Sequence, residues 1–372
     1  MEFALSDEQQ ELRRTVRSFL EQKSPETEVR RLMDTDEGYD PAVWAQMSSQ
    51  LGLQGLVIPE ELGGSGFTMR ELGIVLEEMG RFLLCAPFFS TAVLATSALL
   101  AAGDDAASKA VLPKIAAGES IATLALLEER GGWDEAAVQL VATETNGAWA
   151  LTGVKSYVLD GHVADTLLVA ARTPSGVSLF LVTGDAAGLA RTPLVTMDQT
   201  RKLARLEFSA TPAQLVGREG AGWPAVEHAL TIAAVALANE QVGGAQRCME
   251  MSVDYAQNRI QFGRPIGSFQ AVKHRCADML VQVEMAKSAA YYANWCAATG
   301  ADDLAVAAPM AKSYCSEAYF RIASDTIQVH GGIGFTWEHP AHLYFKRAKS
   351  SELLFGTPRQ YRKQLAKALN IS

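Results

Sequence analysis

The chain has 372 residues, of which 48% are hydrophobic and 20% charged, as in a globular protein large enough for two or three packed units. Its net charge of −9 disfavours a nucleic-acid binder, because such proteins neutralise phosphates with clustered Lys and Arg. An anionic small ligand stays open, since a local basic group or a helix N-terminus can hold one.

The cysteines and the apolar runs indicate the compartment. Five cysteines, an odd number and none close in sequence, predict neither a disulfide framework nor a zinc site and fit a reducing cytosol. The segment Met1–Glu8 lacks the basic region and apolar run of a signal peptide. The run Ala229–Ala238 is too short to cross a membrane. We therefore expect a cytoplasmic protein without a membrane span or a bound metal.

Helical patterns fill the first third of the chain. Ser6 and Gln9 form a capping-box pattern, and the apolar residues that follow lie on one helical face. The pattern breaks at Pro59 and at the glycines of 63–66. Further helices are predicted at 44–51, 69–80, 92–102 and 106–117.

Strand patterns replace the helical ones in the middle third. Asn146-Gly147 is a strong hairpin signal between a strand at 138–143 and a second strand that contains Trp149, Leu151 and Val154. More strands are predicted at 166–171, 177–182 and 203–208. This pattern indicates a small antiparallel barrel or sandwich.

Long helical patterns return after Trp223, at 223–258, 268–299, 303–329 and 357–369. These lengths are typical of a four-helix bundle. Helices, then strands, then helices predict an α+β fold that is mainly α, without alternating βαβ units. We expect an N-terminal helical domain at 1–118, a middle antiparallel β-barrel at 119–216 and a C-terminal four-helix bundle at 217–372.

Two segments contain the residues of most chemical interest. In the first, Arg259–Gln270, a guanidinium able to grip a diphosphate lies beside an aromatic face at Phe262 and a glycine at 263. In the second, Gln328–Phe335, Gly331 and Gly332 end a long helix and permit close approach of a ligand to the backbone. A basic helix–turn–helix corner and a simple helix cap are the alternative interpretations.

These two segments, together with Ile58–Gly66 and Gly217–Trp223, resemble motifs of the acyl-CoA dehydrogenase family in their order and separation. The resemblance covers essentially the whole chain. It implies a flavoprotein of lipid metabolism, a homotetramer or heterotetramer, with FAD extended at a subunit interface. Residues that match the family's cofactor contacts are Arg259, Gln261, Phe262, Gln270, Gln328, Gly332 and Thr357.

The resemblance also implies a reaction, the α,β-dehydrogenation of an acyl-CoA thioester to the trans-2-enoyl-CoA. A carboxylate takes the proton from Cα while a hydride leaves Cβ for the flavin. The two positions at which family members place this glutamate match Phe355 and Ala233 here. Glu240 lies two helical turns from Ala233 on the same apolar face, which makes it the candidate base. A structural glutamate paired with Arg or Lys is the alternative.

The strand-rich region departs from the family pattern as well. Leu127 and Leu159 match positions where the family has hydroxyl side chains facing the flavin, and Trp133 matches a serine. The resemblance implies that backbone N–H groups at Leu127 and Leu159 bind the flavin. Tyr157 is either a neighbour of the flavin ring or an ordinary barrel residue.

Three hypotheses for the function follow. The first is an active dehydrogenase that uses Glu240 as base, with an electron-transfer flavoprotein as its oxidant. The second is a non-catalytic subunit, paired with a second dehydrogenase chain, that completes the FAD site of the chain holding the base. The third is an acyl-CoA oxidase. The sequence leaves the acyl group open.

Overall fold

The computed structural model describes residues 5–371. Residues 1–4, part of the segment examined for a signal peptide, and residue 372 lie outside the described residues. The α-helices are α1 (Asp7–Lys23), α2 (Glu26–Met33), α3 (Pro41–Ser49), α4 (Met69–Arg81), α5 (Thr96–Ala102), α6 (Asp105–Ala116), α7 (Trp223–Asn258), α8 (Gln270–Thr299), α9 (Leu304–His330), α10 (Ala341–Leu353) and α11 (Pro358–Ala368).

The strands lie mostly between α6 and α7. They are β1 (Ala122–Ala125), β2 (Val141–Thr145), β3 (Ala148–Leu159), β4 (Thr166–Thr173), β5 (Gly176–Thr183), β6 (Leu189–Pro193), β7 (Leu203–Val216), β8 (Ile260–Gln261) and β9 (Arg264–Pro265). A π-helix, Phe89–Ala95, leads directly into α5. No helix of the described residues is both long and apolar enough to cross a membrane.

The described residues form two compact units. The first comprises the described residues of 1–29, 69–84 and 234–372, and the second comprises 30–68 and 85–233. The division falls within α2 and within α7. The three predicted domains, with their two boundaries after residues 118 and 216, remain a prediction beside this two-unit division.

The second unit contains a closed sheet, as predicted for the middle of the chain. Strand β4 pairs with β2, β2 with β3, β3 with β7, β7 with β5, and β5 again with β4, which closes a ring. Most pairs are antiparallel, but β1 and β2 run parallel to β4. The hairpin signal is confirmed, because Asn146 and Gly147 have φ values of 54° and 81° between the paired ends of β2 and β3. Positive φ at both positions is typical of a type I′ turn.

The first unit is mainly helical and contains the short strands β8 and β9. Helices α8, α10 and α11 pack on α9, and α4 packs on both α1 and α8. Helices α4 and α7 approach each other at backbone distance: a Cβ atom built on Gly80 would lie 1.9 Å from the carbonyl oxygen of Glu240, and one on Gly243 would lie 1.7 Å from that of Glu77. Only glycine fits at such a crossing. The contact fixes the segment of α7 that carries Glu240.

Candidate functional site

Helices α7 and α9 end side by side. The rings of Tyr255 and His330, each near its helix C-terminus, lie 4.4 Å apart between centroids. One turn earlier, the hydroxyl oxygens of Ser252 and Thr326 are 3.1 Å apart. The segment after α7, which begins with Arg259, and the glycine turn after α9 therefore leave the helices at the same end of the first unit.

The segment after α7 forms a small hairpin. Strands β8 and β9 pair Gln261 with Arg264, and Phe262 and Gly263 make the turn with φ values of 52° and 75°. A bulky residue rarely adopts positive φ, and such strain concentrates at functional sites. The Phe262 side chain is 90% exposed. An aromatic face is thus held in solvent at the hairpin tip.

The Phe269 ring contacts two residues of the hairpin. The Arg264 guanidinium lies 4.2 Å from the centre of the Phe269 ring, and the Phe262 ring meets the same ring edge-on at 6.1 Å. Arg259 and Gln261 remain exposed, as does Gln270 at the first position of α8. Their donor groups are available for a ligand.

The glycine turn leaves open space beside its backbone. Gly331 has φ of 64°, and a Cβ atom on Gly331 or Gly332 would meet nothing within 4 Å among the described residues. A Cβ on Gly334, by contrast, would lie 2.9 Å from the Cβ of His330. Close packing against His330 explains why residue 334 is a glycine. No such packing within the described part of the chain explains the glycine at residue 332. Gln328 is exposed on the last turn of α9, next to this space.

Thr357 lies at the N-terminus of α11. Its hydroxyl accepts a hydrogen bond from the Gln360 N–H, and the Gln360 side chain accepts one from the Thr357 N–H, which makes a capping box. The preceding residues have an unusual backbone, since Phe355 and Gly356 have φ values of 62° and 119°. Phe355 and Ala233, the two residues at which the resemblance implies a base, are both buried and neither carries a carboxylate.

Glu240 is in an ion pair. Arg347 Nη1 of α10 donates to Glu240 Oε1 at 3.1 Å, and both residues are buried. This contact is the structural alternative that the sequence left open. Sequence reasoning identified Glu240 by its apolar surroundings but not Arg347, which is 107 residues further along the chain.

The remaining two predicted cofactor residues lie in the second unit. The Leu127 carbonyl accepts from the Ser156 N–H at 2.8 Å, and the Leu159 carbonyl accepts from the Thr123 hydroxyl at 2.7 Å. Tyr157 lies at a bulge in β3, has φ of 55° and is 51% exposed. An exposed aromatic residue with positive φ is again a candidate for ligand contact. The roles of Leu127 and Leu159 stay predictions.

A buried lysine joins the two chain segments that contain Leu127 and Tyr157. Lys155 Nζ donates to Glu128 Oε1 at 2.7 Å and to the Leu126 carbonyl at 3.0 Å. Burial lowers the pKa of Lys155 to about 8, although the Glu128 charge acts in the opposite sense. Burial acts to raise the pKa of Glu128. The Lys155 charge and the hydrogen bonds that Glu128 accepts outweigh burial and hold the pKa of Glu128 below its ordinary value.

The first-unit residues fit a flavin dinucleotide. Arg259 offers a charged fork for a diphosphate, Phe262 an exposed aromatic face, and the Gly331–Gly332 turn an open backbone surface. Sequence reasoning found these groups through the motifs but missed Lys155, Lys312 and Arg347. The signal for Lys312 was present, because it is a lone charge in the apolar stretch 307–316.

Comparisons with known proteins give one consistent result. The N-terminal domain of acyl-CoA dehydrogenase matches residues 6–119, and its C-terminal domain matches 220–370. The chain is 36% identical over 359 residues to "Acyl-CoA dehydrogenase IpdE2" of Mycobacterium tuberculosis, covering 96% of each.

Solved structures agree. The chain superposes with a TM-score of 0.90 and 29% identity on a chain of the ChsE4-ChsE5 complex from Mycobacterium tuberculosis, covering 100% of both. A chain from a variant of the Tcur3481-Tcur3483 steroid ACAD gives a TM-score of 0.88 and 30% identity, covering 98% of both. The chain therefore belongs to the acyl-CoA dehydrogenase family of flavoprotein oxidoreductases.

Proposed function

We propose that this chain takes part in FAD-dependent α,β-dehydrogenation of an acyl-CoA thioester, as the subunit of a two-chain dehydrogenase that builds a flavin site while its partner provides the base. Bound FAD supplies the hydride acceptor that the protein side chains lack. Arg259, Phe262 and Gln328 would hold the cofactor at the end of the first unit. The product would be the trans-2-enoyl-CoA.

The contact between Glu240 and Arg347 is the observation that supports a base in the partner chain. A base must accept a proton from the substrate during turnover. The Glu240 carboxylate is instead engaged by the buried Arg347 guanidinium, and breaking a buried pair costs about 3–5 kcal/mol. Glu240 therefore suits a structural role better than a catalytic one. The ChsE4-ChsE5 complex, a relative described as a two-chain assembly, supports the same choice.

An electron-transfer flavoprotein is the oxidant we propose, by analogy with the family. We place the protein in the cytoplasm, because none of its five cysteines forms a disulfide in the described part of the chain. We propose steroid-derived acyl thioesters as the first substrates to test, since one structural relative is a steroid ACAD.

The test is anaerobic reduction of the flavin by substrate. The chain is purified alone and co-expressed with a partner dehydrogenase chain, and each sample is mixed with a panel of acyl-CoAs while the flavin absorbance is recorded. We expect bleaching only in the two-chain sample. Bleaching by the chain alone contradicts the proposal that the partner chain provides the base.

The second candidate function is an active dehydrogenase with Glu240 as its base. A variant without the charges of Glu240 and Arg347 distinguishes this candidate from the first. The double variant Glu240→Leu with Arg347→Met removes both charges together, so neither charge is left buried beside an apolar replacement. If Glu240 is structural, the two-chain sample carrying this variant still bleaches. If Glu240 is the base, bleaching disappears while FAD stays bound.

A further inference from the structure

A buried lysine lies beneath the loop that precedes α11. Lys312 of α9 is fully buried, and its Nζ contacts four oxygen atoms. These are the Ser316 hydroxyl at 3.0 Å and the carbonyls of Ser351 at 3.0 Å, Glu352 at 3.2 Å and Gly356 at 3.4 Å. These contacts satisfy the hydrogen-bonding capacity of the buried Nζ and hold it in one place.

The carbonyls belong to two successive parts of the chain. Ser351 and Glu352 lie in the last turn of α10, where carbonyl groups have no partner within the helix and the helix dipole is negative. Gly356 lies in the loop that follows. Lys312 therefore joins the end of α10 to this loop.

The loop needs such support because its backbone is strained. Phe355, a bulky residue, has φ of 62°, a conformation that persists only when neighbouring groups impose it, whereas glycine adopts the positive φ of Gly356 readily. Lys312 binds the Gly356 carbonyl, and the Tyr361 hydroxyl donates to the Phe355 carbonyl at 3.1 Å. The two contacts fix the carbonyl groups of the two residues that precede Thr357.

The burial of Lys312 is costly to the protein. Desolvation lowers its pKa to about 7, against the opposing effect of the Glu352 charge. Lys349, at the same end of α10, pairs with the Glu352 carboxylate at 2.7 Å but keeps 38% of its side chain exposed. The ion pair of an exposed lysine contributes little to stability. Burying a lysine costs free energy, which its hydrogen bonds must offset.

We propose that Lys312 is a positioning residue of the cofactor site, whose Nζ holds the Leu354–Gly356 loop through hydrogen bonds so that Thr357 contacts the bound flavin nucleotide. This inference rests on the proposed function. It adds to that function a residue which itself touches neither cofactor nor substrate.

The experiment measures the FAD dissociation constant of the apoprotein, in the two-chain assembly if flavin uptake requires it. The variants are Lys312→Met, Lys312→Arg, Thr357→Val and the double variant Lys312→Met with Thr357→Val. Lys349→Met is the matched control. The thermal midpoint of each apoprotein is recorded in parallel.

We expect Lys312→Met to weaken FAD binding at least tenfold, Lys312→Arg to restore part of the loss, and Lys349→Met to stay within twofold of wild type. The double variant should bind FAD no more weakly than Lys312→Met alone, because both changes act through the same contact. A structural role alone would lower the thermal midpoint without this non-additivity.

Unchanged FAD affinity in Lys312→Met, or fully additive losses in the double variant, overturns the proposal. If Lys312→Met does not fold, Lys312→Arg and Tyr361→Phe decide, since each disturbs the same loop more gently, and wild-type affinity in both overturns it. Failure of the wild-type chain to take up flavin at all would overturn the proposed function as well, which distinguishes the two results.

Discussion

At the scale of single residues, the Glu240–Arg347 pair gives the sharpest prediction. Arg347→Met leaves a buried carboxylate without its guanidinium, so we expect the free energy of unfolding to fall by about 3–5 kcal/mol. The double variant with Glu240→Leu should recover most of the loss. Chemical denaturation of wild type, both single variants and the double variant measures the coupling; additive losses would contradict a direct pair.

The pKa of Lys312 predicts a pH dependence of stability. Its pKa is lowered from 10.5 to about 7 by burial, so between these values the unfolded chain binds a proton that the folded chain lacks. Stability therefore rises with pH through this window and falls as pH drops towards 7, by at most about 1.4 kcal/mol per pH unit for one group.

Lys312→Met removes this contribution. The difference in unfolding free energy between wild type and the variant should grow in favour of wild type from about pH 7 to pH 10, as measured by urea denaturation at a series of pH values. Lys155, whose pKa burial lowers to about 8, acts in the same direction but is present in both proteins and cancels. A pH-independent difference would contradict the buried position of Lys312.

Residue-scale reasoning from sequence had a clear limit. Glu240 could be identified because a charge in an apolar helix needs a partner or a task. Its partner, Arg347, could not be identified from the sequence. Arg347 belongs to α10, a helix far along the chain whose buried face also includes His342 and Ser351. Polar residues on the buried face also concealed α10 itself from an analysis of hydrophobic periodicity.

At the scale of elements, the crossing of α4 and α7 gives a second stability prediction. A Cβ atom on Gly243 would lie 1.7 Å from the Glu77 carbonyl oxygen, so the helices must separate to accept it. Although Ala favours a helix over Gly by about 1 kcal/mol, we expect Gly243→Ala to lower the free energy of unfolding by about 1–3 kcal/mol. Thermal denaturation of the variant tests this, and a raised midpoint would contradict it.

Gly332 gives the complementary prediction for the glycine turn. A Cβ atom there meets nothing within 4 Å among the described residues, so Gly332→Ala should leave the thermal midpoint of the apoprotein unchanged. If the open space receives the cofactor, the same change weakens FAD binding several-fold, as an apoprotein titration would show. Wild-type FAD affinity in this variant would remove Gly332 from the cofactor site.

Elements were predictable where their pattern was regular. The long helices α7, α8 and α9 and the Asn146-Gly147 hairpin appear within a few residues of their predicted positions. Strand β1 is buried at all four positions and β6 is exposed at nearly all of its positions, so neither shows the alternation that marks a half-buried strand. The parallel pairing of β1 with β4 was equally invisible, because it depends on contacts far apart in sequence.

At the scale of the whole molecule, the predicted cofactor residues divide between the two units. Leu127 and Leu159 belong to the second unit, and the Arg259 hairpin, the Gln328 turn and Thr357 belong to the first. Motif order in the sequence was enough to predict the family, which the comparisons confirm. Subunit composition was not predictable, because a single sequence does not show which other chains it assembles with.

The central claim is that the Arg259 hairpin and the Gln328 turn, which leave α7 and α9 at the same end of the first unit, bind one FAD. The most direct measurement is titration of the purified apoprotein assembly with FAD, comparing wild type with Arg259→Ala and with the exposed-site control Arg14→Ala. The account predicts saturable uptake by wild type and the control, and affinity at least tenfold weaker in Arg259→Ala. Equal affinity in all three proteins, or no uptake by any of them, would contradict it.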